Sequence, residues 1–228
     1  MGVCSAYEDT ASQALTVTRT LLTKYNIDKS RIGRIDCATE SLIDKSKSIK
    51  SILMQLFENE NTNIEGADNI NACYGGTAAL FNALSWADSS FNYDDKCALV
   101  VASDAAVYDP NGSPGARATG GAGAIAILVG RNAPHITVNP RWRASYSKHV
   151  WDFYKPDMSC PFPTVDAPAT LTCYMQALDN CCGQLAPATE NRSILNTFDY
   201  RESRENIIVK RKLETKLTCF VEKTTHFL

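Results

Sequence analysis

The chain has 228 residues, 44% of them apolar, with 23 Lys and Arg against 25 Asp and Glu for a formal net charge of −2. That length holds one large domain or two small ones, and the apolar share is enough for a core. The near-neutral balance leaves no footprint for nucleic acid, no apolar run is long enough to span a membrane, and no signal-peptide pattern opens the chain.

In chain order, Ser5 and Glu8 form a capping-box pattern, and Ala11, Ala14, Leu15, Thr18, Leu21 and Leu22 follow with helical spacing to near Asn26. Arg31 to Thr39 reads as a short strand that ends at Glu40. A carboxylate at the mouth of a buried strand is either a solvated loop residue or a positioned acid–base group. The polar stretch 44–51 carries Lys45, Lys47 and Lys50, which could meet phosphates but are better read as a solvated helix face. Ile49, Ile52, Leu53, Leu56 and Phe57 mark a second amphipathic helix.

The stretch Asn71-Ala72-Cys73-Tyr74-Gly75-Gly76-Thr77-Ala78-Ala79 organises the chain. It sets a cysteine where an extended segment becomes a helix running to about Trp86. At that position the helix dipole and unpaired N–H groups would stabilise a thiolate, and the glycines would let a group approach the backbone closely. Burial as an inert core thiol is the competing reading, and the commoner fate of a free cysteine. Ala78, Ala79 and Ala83 suit tight packing under a sheet.

Lys96 to Val107 contains CALVVASDAAV, a strand buried on both faces with Asp104 at its end, where α/β sheets place functional groups. An acid there can equally cap a turn. A turn-rich loop follows, then Thr119-Gly120-Gly121-Ala122-Gly123-Ala124 leads into the buried strand IAILVG. These glycines precede a strand and not a helix, so they are no dinucleotide cradle, and close backbone packing is the better explanation. His135 to Val138 reads as another short strand. The aromatic and charged segment 152–158, which begins with Asp152, reads as a loop, and Thr170 or Thr172 starts a helix reaching Cys182. Residues 189–228 carry eight Lys and Arg against six Asp and Glu with no clear period, which reads as a poorly specified, disordered tail. The nine cysteines are odd in number and form no CxxC pair. With no secretory signal they read as reduced thiols of a cytoplasmic protein, neither a disulfide frame nor a metal site.

The motifs TESLIDKSKSIK (39–50), IEGADNINACYGGTAALFNAL (64–84), ALVVASDAAVY (98–108), ARATGGAGA (116–124) and DFYKPDM (152–158) occur in one order. On them, the chain from Met1 to Cys182 resembles the 3-hydroxy-3-methylglutaryl-CoA (HMG-CoA) synthases of the thiolase-like superfamily. The resemblance implies an α/β fold with a mixed sheet between helices. Residues 1–184 would be most of the N-terminal half without its first strand, and 185–228 an unrelated tail. It implies acyl transfer from acetyl-CoA to a cysteine, condensation with acetoacetyl-CoA, and a place in the mevalonate route to isoprenoids and sterols. Carried over by motif, Cys73 is the acylated nucleophile and Glu40 the general acid–base. Asp104 and Asp152 have supporting roles, Thr119 falls at a CoA-contacting position, and Thr170 stands where many members have serine. The substrates are CoA thioesters, no further cofactor is implied, and the family forms homodimers. The family's catalytic histidine and CoA-binding lysines belong to a second half not matched here, so none of His135, His149 and His226 takes that role. An inactive short variant acting as an interaction or regulatory subunit is the alternative. A redox protein using Cys181 and Cys182 is a more distant one.

Overall fold

The computed structural model describes residues 4–109, 120–132, 134, 136–140, 142–157 and 159–185, and the backbone of 217–224. The chain forms two compact units, 1–137 with 215–228, and 138–214.

The first unit is built on a five-stranded sheet. Its strands are β1 (Ile32–Ala38), β2 (Asp68–Asn69), β3 (Cys97–Ala106), β4 (Gly121–Arg131) and β7 (Leu217–Thr224), in the spatial order β2-β1-β3-β4-β7. β1 runs parallel to both β2 and β3, whereas β3–β4 and β4–β7 are antiparallel. The β7 pairing involves residues that showed no periodicity in the sequence. Strand pairing uses backbone groups that every residue carries, so a side-chain pattern need not announce it.

Helix α1 (Thr10–Lys24) starts one turn later than the Ser5–Glu8 pattern predicts. Those two residues do bond each other, Ser5 N to Glu8 Oε2 at 2.9 Å, but in a turn ahead of the helix. The working box is Asp9 with Ser12: Ser12 N donates to Asp9 Oδ1 at 2.7 Å and Asp9 N to Ser12 Oγ at 2.8 Å. Ala14, Val17, Leu21 and Leu22 form its buried stripe, and Asn26 follows the helix in the left-handed conformation, at φ 47°. The second amphipathic segment is one α-helical stretch, α2 (Ile49–Leu53), tightening into a 3-10 turn at Met54–Leu56. Asp68 anchors its start by accepting Ile49 N at 2.6 Å and Lys50 N at 3.0 Å.

Successive strand residues face opposite sides of a sheet. Ile35, Cys37, Leu99, Val101, Ala126 and Leu128 pack with α1 and α2 into one core. The other side lies under α3 (Tyr74–Asp88), whose Ala79, Ala83 and Ala87 recur every four residues and are fully buried. That periodic loss of side-chain bulk lets the helix sit close to the strands, as the alanines predict. Gly66 makes β1's neighbour fit: its φ is +126° and a Cβ there would overlap the Ile35 carbonyl. At one of the small residues at the start of β4 the expected close packing is not seen. Gly123 pairs in register with Asp104, yet a Cβ on it would meet nothing, so close packing does not account for it. No strand forms at 136–138, where Ile136 is exposed.

The second unit holds a two-stranded ribbon, β5 (Phe153–Tyr154) with β6 (Thr164–Val165), and α4 (Ala167–Leu185). α4 begins before Thr170 because Asp166 caps it, accepting Ala169 N at 3.0 Å. None of its residues is buried, and Leu171, Tyr174 and Met175 are exposed on neighbouring turns.

Burial therefore sets where a truncation hurts. Leu99→Ala should cost about 2–5 kcal/mol, whereas Leu171→Ala should stay within about 0.5 kcal/mol. Urea unfolding of both variants measures this, and equal losses would mean that α4 is covered in solution.

Candidate active site

Because β1, β2 and β3 are parallel, their C-terminal ends open on one edge of the sheet, where α/β folds bring ligands. Each strand delivers one residue there. Glu40 follows β1, Cys73 follows β2, and Asp104 lies in the last stretch of β3.

Cys73 is the N-cap of α3, exposed to solvent, and its Sγ donates to Glu40 Oε1 at 3.6 Å. The bend that presents it is tight. Ala72 has φ +40°, a left-handed conformation that costs a residue with a Cβ of order 1–3 kcal/mol. Gly75 is needed just inside the helix, since a Cβ would sit 2.7 Å from the Asn69 carbonyl oxygen. Gly76 has room for one, with Ala102 the nearest atom at 3.8 Å. Of the two glycines, then, one is demanded by the protein's own backbone.

The expected thiolate stabilisation at the helix start is not realised. Although Cys73 is exposed as a residue, its thiol is pushed up from its ordinary value, first by partial loss of water around the sulfur and then by the Glu40 and Asp104 carboxylates. The compensating helix N–H groups have other partners. Tyr74 N and Gly75 N both donate to the Asn71 carbonyl, at 3.0 and 3.2 Å. Only the backbone N–H of Cys73 itself acts the other way, and it is the weakest influence.

Asp104 acts on the loop that carries Glu40. Its Oδ1 accepts the Thr39 hydroxyl at 2.9 Å, the Glu40 backbone N–H at 2.7 Å and the Ser41 hydroxyl at 3.1 Å. Thr10, at the start of α1, donates to the Ser41 carbonyl at 3.2 Å. The supporting position expected of Asp104 is thus beside Glu40, with Thr39 and Ser41 as hydroxyl partners that motif reading did not single out. The available signal was their place on either side of the glutamate.

Asp152 and Thr170 belong to the second unit, where Thr170 Oγ1 donates to the Asp152 carbonyl at 3.4 Å. Thr119, His135 and His226 lie outside the described residues. His149 packs edge-on against Trp151, with ring centroids 5.6 Å apart.

Fold and site together are those of a thiolase-like α/β protein that presents a cysteine and a glutamate at its strand ends. Residues 1–134 match the family model described as hydroxymethylglutaryl-coenzyme A synthase N terminal, and 136–206 match the corresponding C-terminal model. The chain belongs to the HMG-CoA synthase family. The two matches meet beside the boundary between the compact units, and the second extends the likeness past Cys182. Over 179 residues the chain is 53% identical to hydroxymethylglutaryl-CoA synthase ERG13 of Gibberella zeae, covering 78% of this chain and 38% of that relative. It is 52% identical over 182 residues to the cytoplasmic hydroxymethylglutaryl-CoA synthase of Gallus gallus, covering 79% and 34%. A solved structure of MvaS in complex with 3-hydroxy-3-methylglutaryl coenzyme A superposes with a TM-score of 0.69 at 30% identity, covering 82% of this chain and 44% of that one. The chain therefore spans about two fifths of the length of the first of these relatives.

The Cys73 environment makes a directional prediction. Glu40→Gln removes a like charge from the thiolate, so the pH midpoint for alkylation of Cys73 should fall. Iodoacetamide labelling resolved by peptide mass spectrometry measures it; a midpoint that does not move would mean burial alone holds the thiol up.

Proposed function

We propose that the whole protein condenses acetyl-CoA with acetoacetyl-CoA to 3-hydroxy-3-methylglutaryl-CoA, with Cys73 as the acylated nucleophile and Glu40 as general acid–base. The observation that carries this is the 3.6 Å contact between Cys73 Sγ and Glu40 Oε1, in a chain of this family.

The chemistry follows from that pair. A thioester exchanges its acyl group most readily with a sulfur nucleophile. Cys73 holds its proton, and Glu40 is the base within reach of it. Sγ attacks the acetyl carbonyl, the S–H proton passes to Glu40, and the new C–S bond forms as the bond to the CoA sulfur breaks. The departing CoA thiolate takes that proton from Glu40, which returns to the carboxylate. A carboxylate in the same place then removes a proton from the acetyl methyl, and the resulting enolate carbon bonds to the ketone carbon of acetoacetyl-CoA. The ketone oxygen gains a proton, and water cleaves the enzyme thioester to restore the Cys73 thiol. No cofactor is needed beyond the two CoA substrates. Asp104 holds the Glu40 loop, and Asp152, Thr119 and Thr170 are assigned supporting or CoA-contacting roles on the family motifs. The name of the chicken relative supports a cytoplasmic enzyme of the mevalonate route, and the family supports a homodimer in the whole protein.

Incubation of the chain with acetyl-labelled acetyl-CoA tests the first step. Label should appear on the Cys73 peptide and vanish in Cys73→Ala. In the whole protein, Glu40→Ala should slow acetylation of Cys73 and lower condensation by roughly 10²–10⁴-fold. Label on another cysteine, or full condensation by Glu40→Ala, would overturn the assignment.

A further inference from the structure

We propose that Ser41 and Thr39 are positioning residues that hold Glu40 against Cys73, acting through hydrogen bonds to the end of β3. This rests on the reading of Cys73 and Glu40 as the reacting pair.

Glu40 lies just past β1, outside the ladder that fixes β1 to β3, whose last paired residue on β1 is Ala38. Something else must hold it. The hydroxyls on either side do so in a closed set of bonds. Thr39, buried at 2% exposure, donates its hydroxyl to Asp104 Oδ1 at 2.9 Å and accepts the Ser41 N–H at 3.0 Å. Ser41 Oγ accepts the Ala105 N–H at 3.3 Å. Its own hydrogen has two acceptors in range, Asp104 Oδ1 at 3.1 Å and the Ala105 carbonyl at 3.2 Å. The carboxylate, being charged, is the stronger of these. The Glu40 N–H completes the set at 2.7 Å from the same Oδ1. β1's extension is thus clamped to β3 by side chains where the backbone ladder has ended. The residue between the two hydroxyls cannot move without breaking bonds on both sides of it. The backbone origin of the Glu40 side chain is thereby fixed, and near-attack geometry depends on that origin.

The consequence is read at Cys73. Among the described residues, partial burial of the sulfur and then the Glu40 and Asp104 carboxylates hold its proton on. Loosening the Glu40 loop takes Glu40 away from the sulfur, so thiolate forms at lower pH.

The test is the pH profile of Cys73 alkylation by iodoacetamide in the full chain, resolved by peptide mass spectrometry. The proteins compared are the unaltered chain, Ser41→Ala, Ser41→Thr, Glu40→Gln and the double variant Glu40→Gln/Ser41→Ala. Ser41→Ala should move the profile to lower pH, with severalfold faster labelling at neutral pH, and Ser41→Thr, which keeps the hydroxyl, should restore it. In the Glu40→Gln background, Ser41→Ala should add nothing, because the residue it positions has lost its charge. A Ser41→Ala profile that overlays the unaltered one, while Glu40→Gln moves, overturns the positioning role and leaves the Cys73–Glu40 pair intact. An equal shift in both backgrounds overturns it too, by showing general loosening. No shift in Glu40→Gln removes the pair itself and the proposal with it. If circular dichroism shows Ser41→Ala unfolded, Thr39→Val, close in volume and lacking the hydroxyl, carries the same comparison.

Discussion

One oxygen atom organises the candidate site. Asp104 Oδ1 gathers the Thr39 hydroxyl, the Glu40 N–H and the Ser41 hydroxyl within 3.1 Å. A carboxylate oxygen can accept several bonds, and charge strengthens each one. Loops that leave the end of a sheet have no ladder to hold them. Here the charge on β3 substitutes for one, and α1 is tied in as well, since Ser103 Oγ donates to the Thr10 carbonyl at 2.8 Å while Thr10 binds Ser41. The first helix, two strand ends and the glutamate loop are joined through a few polar contacts at one edge.

Against that fixed carboxylate stands Cys73, on a tightly held helix start. Ala72 adopts a left-handed backbone and Gly75 is packed against the Asn69 carbonyl, so the α3 start has little freedom to drift. The same tight turn directs the first helix N–H groups to Asn71 and away from the sulfur. Electrostatics then keep Cys73 protonated beside Glu40.

The two units differ in how they use apolar surface. In the first, α1, α2 and α3 bury regular stripes against the two faces of the sheet. In the second, α4 carries Leu171, Tyr174 and Met175 in the open. That contrast follows the family's division, since the N-terminal match ends and the C-terminal match begins next to the unit boundary.

Much of this was legible in the residues. The i, i+4 alanines of α3, the apolar stripe of α1 and the apolar run that opens β3 report local patterns, and local patterns decide which faces are buried. The motifs around Glu40 and Cys73 singled out two side chains that the structure brings within 3.6 Å of each other. Tertiary structure decided the rest. Ser5 with Glu8 and Asp9 with Ser12 are both plausible caps, and the choice went to the pair from which the apolar stripe reaches the core. A helix N-terminus predicts a stabilised thiolate, but the direction of the shift depended on how closely Glu40 and Asp104 approach and on which carbonyl takes the N–H groups. The Thr39, Ser41 and Asp104 clamp joins residues more than sixty positions apart, a separation across which sequence spacing carries no signal of contact. Sequence alone determined which surfaces are buried and which chemistry is available. Only the folding of β1 against β3 decided what holds that chemistry in place, because it brings distant hydroxyls and a carboxylate to one edge.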